Sequence, residues 1–276
     1  MHAPRISASS YSNTAPLIWS FLYGSNHGKV ELVLDNAPAR STDMLTRDRV
    51  DAALVPVIAS QFIENVKLIP EVCVGAKEKV RSVCLVTNGR GLADVKTVSL
   101  DASSQTSVVL TKILFREFMG FEPEWSDSEP NIEAMLSRSD CALLIGDPAL
   151  ALSEPAAVAT RSNNPKSKVQ NIKSFDLAEL WRSYTGLGFV FAMWMTRRET
   201  CDIDFAAARD EGLVHLEEIA ANYQTEIPIG RENLIKYLSD NVSYRIEDSM
   251  QEGMELYFEL AKKNGLLREN RPLVYV

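Results

Sequence analysis

Ser103, Ser104, Gln105, Thr106 and Ser107 stand in a row between a strand-like "TVSLD" and a helix-like run that continues to about residue 119. The stretch has no Gly-x-Gly, no lysine and no nucleophile beside a base. What it offers is hydrogen-bond donors. The first amides of a helix have no carbonyl partner within the helix and lie at the positive end of its dipole. Either Ser103 or Ser104 suffices as a helix cap. The amides of Gln105, Thr106 and Ser107, with hydroxyls next to them, are then left to seat an anion, a carboxylate above all. This junction is expected to bind rather than to break bonds.

Three further segments carry chemistry of the same uncharged kind. "ASSYSNTAPL" (8–17) sets Ser10, Tyr11, Ser12 and Asn13 ahead of a helix with Pro16 in its first turn. Capping by Asn13 or Thr14 would occupy one polar residue and leave the others without a role. "ALLIGDPAL" (142–150) brings Gly146 and Asp147, the latter in the pattern of a cap followed by proline at the first helical position. "VRSVCL" (80–85) interrupts a β-rich run with Arg81 and Ser82. Arg81 suits a solvated edge, whereas Ser82 is flanked by Val83 and Cys84 and needs a reason to be there. Gly186 and Gly188 in "YTGLGFVFAMW" fit a sharp turn or a close backbone approach.

The elements that must position these residues alternate short apolar strands with helical patterns, which predicts an α/β fold with largely parallel sheets. Strands are expected at 5–9, 30–36 and 51–59, with a helix over 41–50 capped by Ser41 or Thr42. Two β-rich segments follow, "KLIPEVCVGA" and "RSVCLVTNG", and the pattern restarts near residue 97. A polar stretch over 153–171 reads as a surface loop, and the region from about 204 to 265 reads as helical. The restart predicts two lobes: residues 1–87 with 176–276, and an inserted lobe of 88–175. Two α/β lobes joined by two crossing strands, with a ligand between them, form a hinge. In such sheets ligands sit beyond the carboxyl ends of the strands, where the polar segments lie.

Composition narrows the field. The 276 residues carry a formal net charge of −8, which argues against general nucleic-acid binding. An anionic ligand must then be held by local donors against the global field. The cysteines (Cys73, Cys84, Cys141 and Cys201) show no C-x-x-C spacing and read as buried thiols in a reducing compartment. The histidines (His2, His27 and His215) are scattered, so neither a metal nor another cofactor is expected. The longest apolar run, "GLGFVFAMWM", is too short to span a bilayer, and the first residues lack a secretory signal pattern. A cytoplasmic protein with no membrane partner is the expectation, and its oligomeric state is left open.

Taken together, "YSNTAPL", "VDAALVPV", "VCVGAKEKVRSVCL", "VSLDASSQTSVVLTKIL", "LLIGDPAL" and "TGLGFVFAMW" resemble, in their order, the chorismate dehydratases of the futalosine route to menaquinone. The resemblance covers most of residues 5–197. It implies the type II periplasmic-binding-protein fold and removal of water from chorismate to give 3-[(1-carboxyvinyl)oxy]benzoate. Asn13 and Ser82 match family positions associated with the active site and are assigned to the departing hydroxyl and a nearby carboxylate. Ser10, Tyr11, Arg81, Ser104, Gln105, Thr106, Ser107, Gly146 and Asp147 are the expected substrate-binding residues. With no histidine in any of these segments, the enolpyruvyl carboxylate of the substrate is left as the base. Two alternatives remain at this stage: 1,4-dihydroxy-6-naphthoate synthase of the same pathway, and a solute-binding protein for a small carboxylate.

Overall fold

Two five-stranded sheets organise the computed structural model, which describes residues 3–36, 38–153 and 171–276. The first sheet has the order β2-β1-β3-β10-β4, from β1 Arg5–Ser9, β2 Glu31–Asp35, β3 Ala52–Pro56, β4 Lys67–Ala76 and β10 Phe189–Thr196. The second has the order β7-β6-β8-β5-β9, from β5 Val83–Asn88, β6 Thr97–Asp101, β7 Glu124–Ser128, β8 Cys141–Ile145 and β9 Ile172–Asp176. These orders are the same pattern written twice. In the first sheet β10 runs antiparallel to both its neighbours, β3 and β4. In the second, β5 runs antiparallel to β8 and β9. The β1, β2, β3 set and the β6, β7, β8 set are parallel. Each antiparallel strand is thus the one that arrives from the other sheet.

Composition explains where each strand lies. The central strands β3 (AALVP) and β8 (CALLI) are buried throughout, as parallel strands covered on both faces must be. The edge strand β7 (EWSDS) is charged and largely solvated, which blunts an edge that could otherwise pair with another chain. One apolar cluster passes through both lobes, taking in Val55, Leu68, Val83, Leu85, Leu100, Leu110, Trp181, Phe189 and Tyr257. No helix among the described residues is long and apolar enough to cross a membrane.

Helices join the strand ends: α1 Ala15–Leu22, α2 Pro38–Thr46, α3 Gln105–Ile113, α4 Ile132–Leu136, α5 Gly146–Leu152 and α6 Leu177–Thr185. The C-terminal region adds α7 Phe205–Val214, α8 Leu216–Tyr223, α9 Arg231–Lys236 and α10 Asp248–Lys263. Asp204 and Gly230 hold the cap positions of α7 and α9, and Gly265 follows α10 with a φ of 68°.

Some boundaries differ from expectation. The helix expected to be capped by Ser41 or Thr42 starts at Pro38, so both lie inside it, and Ser41 Oγ meets Ser7 Oγ at 2.8 Å. Proline suits a first helical turn, where its missing N–H is not needed. The strand expected over 51–59 stops at Pro56 and turns into a 3-10 helix, Val57–Gln61. Strand β9 was not expected. Its sequence, IKSFD, is half solvated, with only Asp176 fully buried, and gives no apolar run to read. The surface loop expected over 153–171 falls, for residues 154–170, outside the described residues. Residues 83–87, expected in the first lobe, belong by pairing to the second sheet. We propose that the lobe boundaries follow the sheets, with the crossings at residues 77–82 and 177–188.

Candidate active site between the two lobes

The carboxyl ends of β1 and β3 face those of β6 and β8 across a cavity of about 480 Å³, its open mouth included. Ser9, Tyr11, Asn13, Thr14, Pro56 and Phe191 line one wall, and Val83, Ser104, Ser107, Ile145 and Gly146 line the other. Both lobes therefore contribute to one site, and its polar lining is almost wholly uncharged.

On the first wall, residues 10–14 link β1 to α1 through a single 3-10 turn, Ser12–Thr14. Thr14 sits at the cap position of α1, but its hydroxyl does not cap. It donates back to the carbonyls of Ser9 (2.6 Å) and Tyr11 (2.8 Å), closing the loop on itself. Pro16 in the first turn removes one N–H that would otherwise need an acceptor. Asn13 is thereby released from capping and lines the cavity. Ser10 turns elsewhere: its Oγ reaches Asn36 at 3.5 Å and its carbonyl accepts from the Tyr223 hydroxyl at 2.9 Å, beside a separate surface hollow.

The second wall is the start of α3. Ser104 caps it, accepting from the Ser107 N–H at 3.4 Å, and the two hydroxyls lie 3.0 Å apart. Both line the cavity at the positive end of the helix. Gln105 and Thr106 do not join them. Gln105 is exposed. Thr106 is fully buried, and its Oγ1 accepts from the Ile58 N–H at 3.2 Å, a bond from one lobe to the other. Helical periodicity could have separated these roles. Residues three apart share a face, while the two between them turn about 100° and 200° away.

Two ties cross the mouth. The Tyr11 ring packs on Gly146, where a Cβ would stand 2.8 Å from the ring, and Gly146 has a φ of 64°. Only glycine meets both demands. Burial and the nearby Asp101 carboxylate push the Tyr11 pKa up to about 12, against a hydrogen bond with Ser103, so the phenol remains a donor. Asp147 does not cap α5, for Ile145 holds the cap position without a side-chain bond. Instead both carboxylate oxygens accept from the Ser12 N–H at 3.2 Å, and Oδ1 accepts from Ser12 Oγ. Burial raises the Asp147 pKa to about 6; the Ser12 bonds oppose the rise and Glu226 adds to it.

The crossing segments supply the back of the site. The Asp176 carboxylate accepts from the N–H groups of Val80 (3.2 Å) and Arg81 (2.5 Å) on one crossing, and from Ala178 and Glu179 on the other. One buried side chain thus fixes both. Arg81 lies at a φ of 64°, and its Nη2 donates to Ser153 Oγ at 3.1 Å, while its guanidinium sits 5.8 Å from the Tyr237 ring centroid. Ser82 is fully buried, next to Val83 of the cavity wall. Its carbonyl accepts from the Gly146 N–H at 2.7 Å, yet its Oγ has no partner. A buried hydroxyl left unpaired costs about 1–3 kcal/mol, and sites that bind polar ligands carry such costs.

A family model described as menaquinone biosynthesis matches residues 4–263. The chain belongs to this family. Over 265 residues it is 31% identical to a chorismate dehydratase from Thermus thermophilus, covering 90% of this chain and 92% of the relative. Among solved structures, a protein from Archaeoglobus fulgidus superposes with a TM-score of 0.66 at 16% identity, covering 96% of this chain and 98% of the other. The periplasmic aliphatic sulphonate binding protein of Escherichia coli superposes with a TM-score of 0.61 at 14% identity, covering all of this chain and 94% of the other. These likenesses show the fold, which is that of the periplasmic binding proteins, as the sequence predicts.

In this member of the family, then, Tyr11, Asn13, Ser104, Ser107 and Gly146 meet at one cavity. Ser82 and Asp147 adjoin the wall residues Val83 and Gly146 in sequence, and neither lines the cavity itself. Ser10 and Gln105 point away, and Thr106 and Arg81 are engaged in other bonds. No described histidine lines the cavity: His27 is exposed on a turn, and His215 stacks on Trp19 with ring centroids 3.7 Å apart. His2 lies outside the described residues. Sequence reasoning missed Tyr237, a buried tyrosine beside Asn13 and Ser82. Its helical surroundings, "NLIKYLSD", hold no local signal for such a place.

Proposed function

We propose that this protein is a chorismate dehydratase, removing water from chorismate to give 3-[(1-carboxyvinyl)oxy]benzoate for menaquinone biosynthesis. The observation that carries this reading is the make-up of the cavity in a chain of this family: an amide, Asn13, on one wall and the hydroxyl-lined start of α3 on the other. Chorismate bears two carboxylates. The Ser104–Ser107 end of α3 suits one of them, since amides and hydroxyls at a helix start favour negative charge without the desolvation cost of a buried cation. To Asn13, on the opposite wall, we assign a hydrogen bond to the hydroxyl that leaves.

The reaction makes an aromatic ring, so much of its driving force lies in the substrate. What remains for the protein is to orient the ring, exclude water and stabilise charge on the departing oxygen. A proton must also leave the ring carbon that carries the ether. The enolpyruvyl carboxylate is tethered beside that carbon at high effective concentration, and we assign it as the acceptor. The experiment is incubation with chorismate, following an aromatic product by absorbance and mass. A product lighter than chorismate by one water supports the reading, and unchanged chorismate refutes it.

A further inference from the structure

Tyr237 opens the π-helical turn Tyr237–Asn241 that follows α9, and its side chain is wholly buried. Neither its hydroxyl nor that of Ser82 has a partner of good hydrogen-bond geometry, and the Tyr237 oxygen lies close to both Ser82 and Asn13. Burial raises the Tyr237 pKa far above the ordinary tyrosine range, with Ser82 and Asn13 pulling against it from beside the oxygen. The phenol is therefore protonated and able to donate. Two buried hydroxyls and the Asn13 amide converge at a single place, beside the stretch of cavity wall that Asn13 and Val83 form.

A structural tyrosine in this protein looks different. Tyr257 is equally buried, but its hydroxyl donates to the Thr106 carbonyl at 3.1 Å. The Tyr244 hydroxyl also lacks a partner, yet the polar groups around it are Tyr237, Cys73 and Tyr223 rather than residues of the cavity. Of these three tyrosines, Tyr237 is the one whose hydroxyl lies beside the proposed catalytic residues.

We propose that the Tyr237 hydroxyl, together with that of Ser82, forms the seat of the departing hydroxyl group and donates a hydrogen bond to its oxygen. This rests on the dehydratase reading. In the elimination, the C–H bond at the ether-bearing ring carbon breaks, and its electron pair becomes the third double bond of the ring. The neighbouring C–O bond breaks with its pair going to oxygen. The proton taken up by the enolpyruvyl carboxylate balances the departing hydroxide as water. Tyr237 keeps its own proton throughout and acts only by stabilising charge that grows on the oxygen.

The test is steady-state kinetics with chorismate and thermal unfolding, on Tyr237→Phe and Tyr257→Phe beside the unmodified protein. Tyr237→Phe is expected to lose about a hundredfold in kcat, the scale of one preorganised donor, with KM little changed. Its Tm should fall little, because the oxygen it removes has no partner of good hydrogen-bond geometry. Tyr257→Phe should lower Tm, having lost a buried hydrogen bond to the Thr106 carbonyl, and keep kcat. A Tyr237→Phe variant with unaltered kcat and KM would overturn the proposal. So would a loss of activity that follows a loss of folded protein by circular dichroism. If the unmodified protein leaves chorismate unchanged, the dehydratase reading itself fails, and the proposal fails with it.

Discussion

The loop after β1 and the loop after β6 hold equivalent places in two sheets of the same strand order, yet they are built for opposite purposes. After β6, the polar side chains serve the helix: Ser104 caps α3 and Ser107 bonds to it, making a rigid, donor-rich floor. After β1, the helix receives no side-chain cap. Thr14 spends its hydroxyl on two carbonyls of its own loop, and Asn13 is left pointing into the cavity. A capped helix start holds charge well but commits its side chains. An uncapped one leaves a side chain for chemistry. We propose that the repeated scaffold separates binding from reaction by how each helix is begun.

Single substitutions can break this contrast. The largest effect is expected at Asn13. Asn13→Ala should lower kcat by roughly a hundredfold or more with little change in KM, since a donor to developing charge acts mainly in the transition state. Ser107→Ala should instead raise KM and leave kcat nearly intact, because a carboxylate seat holds substrate and transition state alike. If the two variants show the same kinetic signature in a chorismate assay, the walls do not divide their labour as described.

Thr106→Val sharpens the same comparison from the side of stability. The change keeps the shape of the side chain but strands the Ile58 N–H, which now bonds to Thr106 Oγ1 across the lobes. Its cost should be about 1–3 kcal/mol, read as a lower Tm with kinetics unchanged. A raised KM without loss of stability would return Thr106 to the anion seat.

The subtlest effect is a slope. Burial lifts the Asp147 pKa from 3.8 to about 6, so between those values the folded protein holds a proton that the unfolded chain releases. The contribution of this group to stability is fullest below about pH 4 and is lost as pH rises through about 6. Asp147→Asn keeps a carbonyl acceptor for Ser12 but cannot titrate. Its Tm, followed from pH 4 to 7, should fall less over that interval than that of the unmodified protein. Parallel curves for the two proteins would show that Asp147 holds no extra proton in the folded state.

Much of the fold was legible because apolar strands and capped helices are local signals. The restart at residue 97 revealed the second lobe for the same reason: β6, α3 and β8 repeat the pattern of β1, α1 and β3. Strand β9 escaped notice because its stability comes from pairing with β5, not from its own polar sequence. At the candidate site, the segments were legible and the directions were not. Ser10 sits in the right loop and faces away from the cavity, since an irregular backbone offers no periodicity to orient a side chain; Gln105 and Thr106 are turned off the Ser104–Ser107 face by the helical periodicity of α3, which orients them only once the first residue of the helix is fixed. Asp147 resembles a cap in sequence and becomes a tie to Ser12, 135 residues away. Tyr237 reaches Asn13 and Ser82 only through tertiary packing, which no window of sequence contains.

The central claim is that chorismate loses water in a cleft of uncharged donors, with the proton going to the substrate's own carboxylate rather than to a protein base. The most direct measurement is the kcat for chorismate of the double variant His27→Gln, His215→Gln, which removes both described histidines. Neither lines the cavity, so the account predicts a kcat close to that of the unmodified protein. A collapse of kcat in a variant that remains folded would contradict the substrate-assisted mechanism and place the base on the protein.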